Sequence, residues 1–286
     1  MKKVLLIGSN GLLGTSLTKV LKPKYELVTV TRSSSGSDCN LDMTSSRNSM
    51  QLLKDVKPDL IVNLAALTNL DVCEVDINLA YRVNTRIAEN IAAYTNYRES
   101  VFAIHISTDH IYDGENSAEE DIIIRNNYAL TKYCAEKSFK SDNAVVLRTN
   151  FFGKSLSDSS KGLCNSIYDM AITGEELKLF NDVFFSPLSI DTLCDVIVTC
   201  LQKKISGVFN VGAKEGMSKE EFLKNFLRLS GLSDFTYQSI SVSEMIFKTE
   251  RPKDMRMNNG LFEKIYQYRL PRLIDEIERV ANEFKK

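Results

Sequence analysis

The chain opens with a short apolar run, Val4-Leu5-Leu6-Ile7, and passes through Gly8, Gly11 and Gly14 into a stretch whose apolar residues, Leu12, Leu13, Leu17, Val20 and Leu21, recur at helical spacing. That pattern predicts strand, tight turn, helix. Later apolar runs predict strands over residues 26–30, 39–41, 59–64, 101–107 and 144–148, and helical periodicity between them predicts helices over 43–56, 79–97 and 128–140. Strand and helix alternating at this pace call for a parallel sheet with helices on both faces, and such sheets bind ligands at the carboxyl ends of their strands. The alternation lapses after Thr149, a strand-like run at 206–211 is expected to rejoin the main sheet, and Ser218 with Glu221 reads as a capped helix start. The fold class is therefore α/β: a Rossmann-type doubly wound parallel sheet with a smaller C-terminal α/β lobe.

The glycine spacing is the first sign of chemistry. One glycine lets the chain turn off the strand, one lets backbone approach a pyrophosphate, and one lets the helix pack close on the sheet, so that unpaired N–H groups at the helix start face the phosphate charge. The G-x-x-G-x-x-G form resembles the extended branch of the short-chain dehydrogenase/reductase superfamily. A strand-helix turn that uses glycines for geometry alone is the bland alternative. The second strand ends in Thr29-Val30-Thr31-Arg32-Ser33-Ser34-Ser35, with no carboxylate between Leu27 and Gly36. An acidic residue there would bind the ribose 2′-hydroxyl of NAD, whereas Arg32 and the serine hydroxyls suit the 2′-phosphate of NADP. Arg32 as solvated surface remains the competing reading.

Composition narrows the classes. With 286 residues and 43% hydrophobic content the chain can bury a large core, and a net charge of −1 with no block of like charges gives no electrostatic surface for nucleic acid. The first apolar run stops after four residues and no stretch has membrane-spanning length, so a cytoplasmic protein without membrane association is expected. Six cysteines include no C-x-x-C pair, and His105 and His110 are the only histidines, so neither disulfides nor a metal site is expected. His105 lies within an apolar run and reads as a strand position.

Ser107-Thr108-Asp109 ends a predicted strand, and Tyr128 and Lys132 lie four apart on one helix face. A neighbouring ammonium favours phenolate, which suits a tyrosine acting as proton donor or acceptor, and a strand-end threonine hydroxyl can hold the substrate oxygen beside it. A lone Y-x-x-x-K is common; one that follows an S-T-D strand end and a glycine turn points to an enzyme.

A closer resemblance is carried by Asn63-Leu-Ala-Ala66-Leu-Thr68-Asn-Leu-Asp71, Val83-Asn84, Ser107-Thr108-Asp109-His-Ile-Tyr-Asp113-Gly114, Leu41-Asp42-Met43-Thr44, Leu147-Arg148-Thr149, Ser186-Pro187, Asn210-Val-Gly212 and Arg251-Pro252. Over nearly its full length the chain resembles the dTDP-4-dehydrorhamnose reductase family. The resemblance implies an NADP-dependent oxidoreductase that reduces a nucleotide-activated 4-keto sugar in deoxysugar and surface-polysaccharide biosynthesis. NADPH is the implied cofactor, NADH remains admissible, and a homodimer is compatible with the pattern. It implies Thr108, Tyr128 and Lys132 as catalytic residues. It implies cofactor contacts at Gly8, Asn10, Gly11, Leu12, Leu13, Gly14, Asp42, Met43, Asn63, Ala65, Ala66, Tyr128 and Lys132, beside the Arg32 read above. Substrate would lie between the lobes near Thr68, Asn84, Thr108, Phe151 and Arg251. The family pattern divides the chain into a dinucleotide-binding domain, 1–149 with 186–212 returning to it, and a substrate lobe of 150–185 and 213–286.

The chain departs from the family at three places. Many members carry a tryptophan shortly after the arginine-threonine pair, where this chain has no tryptophan and offers Phe151; Ala129 replaces the usual glycine after the tyrosine; and 122–127 lack the usual prolines. Two other functions share these motifs. A dehydratase or epimerase would recycle tightly held NAD, against which Arg32 argues, and a regulatory subunit would keep the pocket without turnover, against which the intact Thr108, Tyr128 and Lys132 argue. Replacing Arg32 with Asp is expected to weaken NADPH more than NADH by about 1.5–3 kcal/mol, the worth of a charged hydrogen bond. Fluorescence titration with each cofactor measures this, and equal affinity of the unmodified protein for both would remove the basis of the prediction.

Overall fold

Val4, Leu5 and Leu6 are fully buried, which places the first strand inside a sheet covered on both faces. The computed structural model describes residues 1–32, 36–139, 142–156 and 161–285. The first part of the chain forms β1 (Lys3–Ile7), α1 (Leu12–Leu21), β2 (Glu26–Thr31), β3 (Cys39–Asn40), α2 (Ser46–Val56), β4 (Leu60–Asn63), α3 (Leu70–Val75), α4 (Ile77–Ala80), α5 (Ile87–Tyr97), β5 (Phe102–Ile106), α6 (Asn127–Glu136) and β6 (Ala144–Thr149). Then come β7 (Phe151–Phe152), α7 (Leu163–Thr173), β8 (Leu177–Phe180), β9 (Phe184–Phe185), β10 (Leu188–Ser189), α8 (Ile190–Lys203), β11 (Gly207–Val211), β12 (Met217–Ser218), α9 (Lys219–Leu229), β13 (Tyr237–Ile240), α10 (Gly260–Tyr266) and α11 (Leu273–Asn282).

Seven strands form one sheet in the order β11-β6-β5-β4-β1-β2-β3, and the pairings from β3 through to β6 are parallel. This is the doubly wound order. Ile7 lies opposite Val30 on one side and Asn63 on the other, and Asn63 lies opposite His105. The carboxyl ends of these strands therefore line up, and the turns that follow them, at Gly8, Leu64 and Ser107, leave the sheet from one edge.

Two units are distinguished: residues 1–108, 126–148 and 194–209, and residues 109–125, 149–193 and 210–286. In the first, Leu5, Ile7, Ile61 and Ala103 from the strands pack with Leu53 of α2 and Ile91 and Tyr94 of α5. In the second, pairs of short strands (β10 with β7, β12 with β9, β13 with β8) surround aromatic clusters. Phe222 of α9 meets Phe152 and Phe185 edge-on, and Phe226 meets Phe284 in the same way.

The expected elements of the first unit form with three adjustments. The helix expected over 79–97 is broken by a π-helical turn, Tyr81–Arg86, which follows α4 and precedes α5. The helix expected over 128–140 ends at Glu136 (Lys140 lies outside the described residues), and the one expected from Met43 starts at Ser46, capped by the Ser45 hydroxyl. Ser218 caps α9 as expected, accepting the Glu221 N–H, while the reciprocal capping box forms at Ser241 and Glu244. Four of the six cysteines are buried, no disulfide joins any of them, and no helix among the described residues is long and apolar enough to cross a membrane.

One buried ion pair ties α6 to the sheet. Arg148, near the end of β6, donates through Nε and Nη2 to the Glu136 carboxylate at 3.1 and 2.6 Å, and the Ser107 hydroxyl donates to the same carboxylate at 2.5 Å. Both side chains of the pair are at most 3% exposed. A bidentate guanidinium fork with a third donor satisfies a carboxylate that would be costly to bury alone.

Candidate active site

At the carboxyl end of β1 the chain turns through Gly8, whose φ of +85° belongs to the left-handed side favoured by glycine. A Cβ on Gly14 would sit 2.2 Å from the Gly8 carbonyl oxygen, so α1 can start this close to the turn only with glycine there. Gly11 is the N-cap of α1 and provides no side-chain cap, so the first N–H groups of the helix face outward. Backbone donors without a competing side chain are what a pyrophosphate needs.

A cavity of about 410 Å³ lies against this turn, and eight of the expected cofactor residues line it: Gly8, Asn10, Gly11, Arg32, Asp42, Met43, Ala65 and Ala66. Thr31, Leu41, Thr44, Leu79, Val83 and Ile87 also line it, beside Ile7, Val30, Leu64 and Leu67, and none of these was among the expected cofactor contacts. The remaining expected contacts are placed elsewhere. Leu12 and Leu13 open α1, with Leu13 buried in the core, and neither lines the cavity; what they offer a phosphate is backbone. Asn63 is buried at 1% exposure, its carboxamide accepting the Ala65 N–H at 3.2 Å and lying 3.0 Å from His105 Nδ1. It shapes the turn after β4.

Around Arg32 the structure adds two carboxylates. Asp38 accepts the Thr29 N–H at 2.8 Å and the Thr29 hydroxyl at 2.7 Å, bonds that hold it below the usual carboxylate range and engage it away from a ribose. Asp42 accepts the Thr44 N–H at 2.9 Å, and this bond, with the nearby charges of Arg82 and Arg32, holds its carboxyl below the ordinary range as well. Arg32 thus faces the cavity with Asp42 close by. Ser33, Ser34 and Ser35, expected to help with a 2′-phosphate, lie outside the described residues.

Thr108 lies two residues beyond the end of β5 and is 3% exposed. Tyr128 and Lys132 stand on α6, whose start is fixed by Asn126 accepting the Ala129 N–H at 2.9 Å. Tyr128 packs against Leu70, Cys73 and Ala80. The Lys132 ammonium is buried and donates to the Ile106 carbonyl at 2.5 Å, two residues before Thr108. Burial lowers its pKa to about 8, with the Glu136 carboxylate one turn on opposing the shift. His105 is buried in β5, stacked obliquely on Phe139, and burial followed by the Lys132 charge keeps it neutral. Among the described residues no cluster of histidine, cysteine and carboxylate side chains is placed to hold a metal.

The expected substrate residues divide. Thr68 is exposed on the loop after β4. Asn84, expected beside the substrate, is fully buried: Oδ1 accepts the Leu67 N–H at 2.7 Å, and Nδ2 donates to the Leu67 carbonyl at 3.2 Å and the Thr131 hydroxyl at 3.1 Å. The adjacent Thr85 hydroxyl donates to the Thr131 carbonyl at 2.7 Å. The π turn therefore clasps α6 between Tyr128 and Lys132 and the loop that lines the cavity, so that Asn84 positions both and presents nothing to a ligand. Such turns inside helices often occur at functional sites. In the second unit Phe151 is half-buried in β7, paired with Leu188, and Arg251 is half-buried with its guanidinium 4.6 Å from the Phe247 ring centre. Arg251 borders a separate cavity of about 540 Å³, lined also by Asp113, Arg125, Phe247, Lys248 and Lys253.

A doubly wound sheet with a glycine turn at its carboxyl edge and a tyrosine-lysine helix packed beside it defines a Rossmann-type protein of the extended short-chain dehydrogenase/reductase class. The chain belongs to the family described as RmlD substrate binding domain, whose model matches residues 1–286. It is 26% identical to a probable low-salt glycan biosynthesis reductase of Haloferax volcanii over 86% of either chain, and 25% identical to the dTDP-4-dehydrorhamnose reductase of Shigella flexneri over 98% of this chain and 97% of that one. The dTDP-4-dehydrorhamnose reductase of Bacillus anthracis, solved in complex with NADP, has the same fold, with a TM-score of 0.89, 23% identity and 99% of each chain covered.

The lowered pKa of Lys132 has a consequence for stability. Between the folded value of about 8 and the ordinary lysine value of 10.5 the unfolded chain binds more protons than the folded one, so the lysine destabilises the fold below pH 8 and the penalty is relieved as pH rises to 10.5. The shift corresponds to about 3 kcal/mol. Relative to Lys132→Met, the unmodified protein is expected to gain about that much between pH 8 and 10.5. Denaturant unfolding of both proteins at the two pH values measures the gap, and a gap that does not change with pH would contradict the assignment.

Proposed function

We propose that this chain is an NADPH-dependent reductase of a nucleotide-activated 4-keto deoxysugar, dTDP-4-dehydrorhamnose or a close relative, serving surface-polysaccharide synthesis in the cytoplasm. The observation that supports the reading is that the Lys132 ammonium, on the same helix as Tyr128, donates to the Ile106 carbonyl two residues before Thr108, in a chain matched by the family from end to end. The fit of the cofactor rests on Gly8 and Gly14, which only glycine can occupy, on the start of α1, where Gly11 brings no side-chain cap, and on Arg32 in the cavity wall. Relatives named as dTDP-4-dehydrorhamnose reductases, and the NADP complex of the Bacillus anthracis one, support the same choice.

In this reading Gly8, Asn10, Gly11 and the backbone of Leu12 and Leu13 hold the pyrophosphate, Asp42 and Met43 the adenine end, Arg32 the 2′-phosphate, and Ala65 and Ala66 the floor. Lys132 and Tyr128 would hold the nicotinamide ribose. NADPH supplies the hydride to the sugar carbonyl carbon. Tyr128 donates its phenolic proton to the oxygen that gains charge, so that a hydroxyl forms without an alkoxide, and the Thr108 hydroxyl donates a hydrogen bond to that same oxygen. Lys132 acts through charge, favouring phenolate as the proton leaves. The second unit is assigned to the substrate, with Phe151 replacing the tryptophan face common in the family and Arg251 meeting the diphosphate.

Tyr128→Phe keeps the ring and deletes only the proton. It is expected to lower kcat by about 10²–10⁴-fold, the worth of a positioned acid, with NADPH affinity nearly unchanged. Single-turnover reduction of an activated 4-keto sugar measures it, and an unmodified rate in the variant would show that the proton comes from elsewhere.

A further inference from the structure

Ser107 and Glu136 belong to a closed circuit of hydrogen bonds at the strand end that leads into Thr108. The Ser107 N–H donates to the Leu147 carbonyl at 2.7 Å, one residue beyond the last pair of β5 with β6, Ile106 with Leu147. Leu147 is followed by Arg148, whose Nε donates to Glu136 Oε1 at 3.1 Å and whose Nη2 donates to Oε2 at 2.6 Å. The Ser107 hydroxyl donates to the same Oε1 at 2.5 Å, and the circuit closes on the residue where it began. Ser107, Arg148 and Glu136 are each at most 5% exposed, so water hardly competes for these bonds.

A buried carboxylate needs less than this. The Arg148 fork already neutralises Glu136, and apolar residues of the same volume often serve stability as well as a buried ion pair does. What the circuit adds is position. Ser107 is held from the sheet through its N–H and from α6 through its hydroxyl, and a shift of either element breaks one of the bonds. Lys132 holds the preceding residue, donating to the Ile106 carbonyl at 2.5 Å. Tyr128, Lys132 and Glu136 follow at intervals of four along one face of α6. The helix that carries the proposed proton donor is thus pinned to Ile106 and Ser107, immediately before Thr108. A hydroxyl that must meet a reacting oxygen depends on such restraint, since a misplacement of about 1 Å can cost about 10²-fold in rate.

We propose that Ser107 and Glu136 are positioning residues for the reduction: together they set the Thr108 hydroxyl against the Tyr128 phenol so that both reach one carbonyl oxygen. The inference rests on the reductase reading and deepens it, because that reading gives roles to Thr108, Tyr128 and Lys132 and none to the residues behind them. Ser107 and Glu136 act through Thr108 and make no contact with the sugar themselves.

A double-mutant cycle in the full-length protein tests it. The readout is single-turnover reduction of dTDP-4-dehydrorhamnose, or of whichever activated 4-keto sugar the protein reduces fastest, at saturating NADPH. Ser107→Ala cuts the circuit without leaving Arg148 uncompensated, as Glu136→Gln would. It is expected to lower the rate by roughly ten- to a hundredfold with NADPH affinity unchanged, and Ser107→Thr, which keeps a hydroxyl, is expected to restore most of the loss. Thr108→Val deletes the positioned hydroxyl and is expected to cost about 10²-fold or more. In the double variant the loss should equal that of Thr108→Val alone, because no hydroxyl is left for Ser107 to place. Losses that multiply in the double variant overturn the inference, since Ser107 would then act by another route. So does an unmodified rate in Ser107→Ala, a loss that Ser107→Thr fails to restore, or a fall in NADPH affinity that matches the fall in rate. An unmodified protein that reduces none of these sugars overturns the reductase reading along with the inference, which separates the two failures.

Discussion

The buried ammonium of Lys132, hydrogen-bonded to the carbonyl of Ile106, is the interaction on which the rest of the site depends. A lysine at 2% exposure is tolerated only where its donors are met, so α6 must lie across the end of β5. That constraint places Tyr128 one turn before the lysine and Glu136 one turn after it on the same helix face. Glu136 in turn needs the Arg148 fork and the Ser107 hydroxyl, which brings the ends of β5 and β6 to the helix. Thr108 is held by the same arrangement through its neighbour in sequence. A charge buried inside the protein thus organises three elements around itself.

Two further constraints complete the picture. The close approach of α1 to the turn after β1 demands glycine at position 14, and it leaves backbone donors facing the cavity in place of side chains. The π turn at Tyr81–Arg86 puts Asn84 and Thr85 in successive positions against Thr131, coupling the loop under the cavity to the helix that carries Tyr128 and Lys132. Support for the cavity and support for Tyr128 therefore share residues.

Much of the first unit was legible because its strands are continuous apolar runs and its turns carry glycine, signals that act over a few residues. The seven-stranded order follows from alternation of strand and helix, and the glycine turn, Arg32, Asp42 and Met43 do meet in one cavity. The π turn was not legible: Tyr-Arg-Val-Asn-Thr-Arg reads as ordinary helix, and the extra residue per turn accompanies hydrogen bonds to Thr131, far along the chain. Asn84 misled for the same reason, since a motif position does not reveal that both ends of the carboxamide are engaged internally. The two-residue strands of the second unit, such as β7 and β12, depend on distant partners and leave no periodicity to find. By contrast, Asn126 ahead of Tyr128 and Glu136 four residues after Lys132 are local signals, and attention to caps and to the i, i+4 face would have found both.

The account is tested most directly by the fate of the nicotinamide cofactor. Purified protein is supplied with NADPH and a panel of nucleotide-activated 4-keto sugars, and the NADPH consumed is compared with the sugar alcohol formed. A reductase consumes one NADPH for each carbonyl reduced, with dTDP-4-dehydrorhamnose among the best substrates. Conversion of a sugar nucleotide by protein that carries bound NAD, with no net consumption of NADPH, would contradict the central claim and make the chain an epimerase or dehydratase on the same fold.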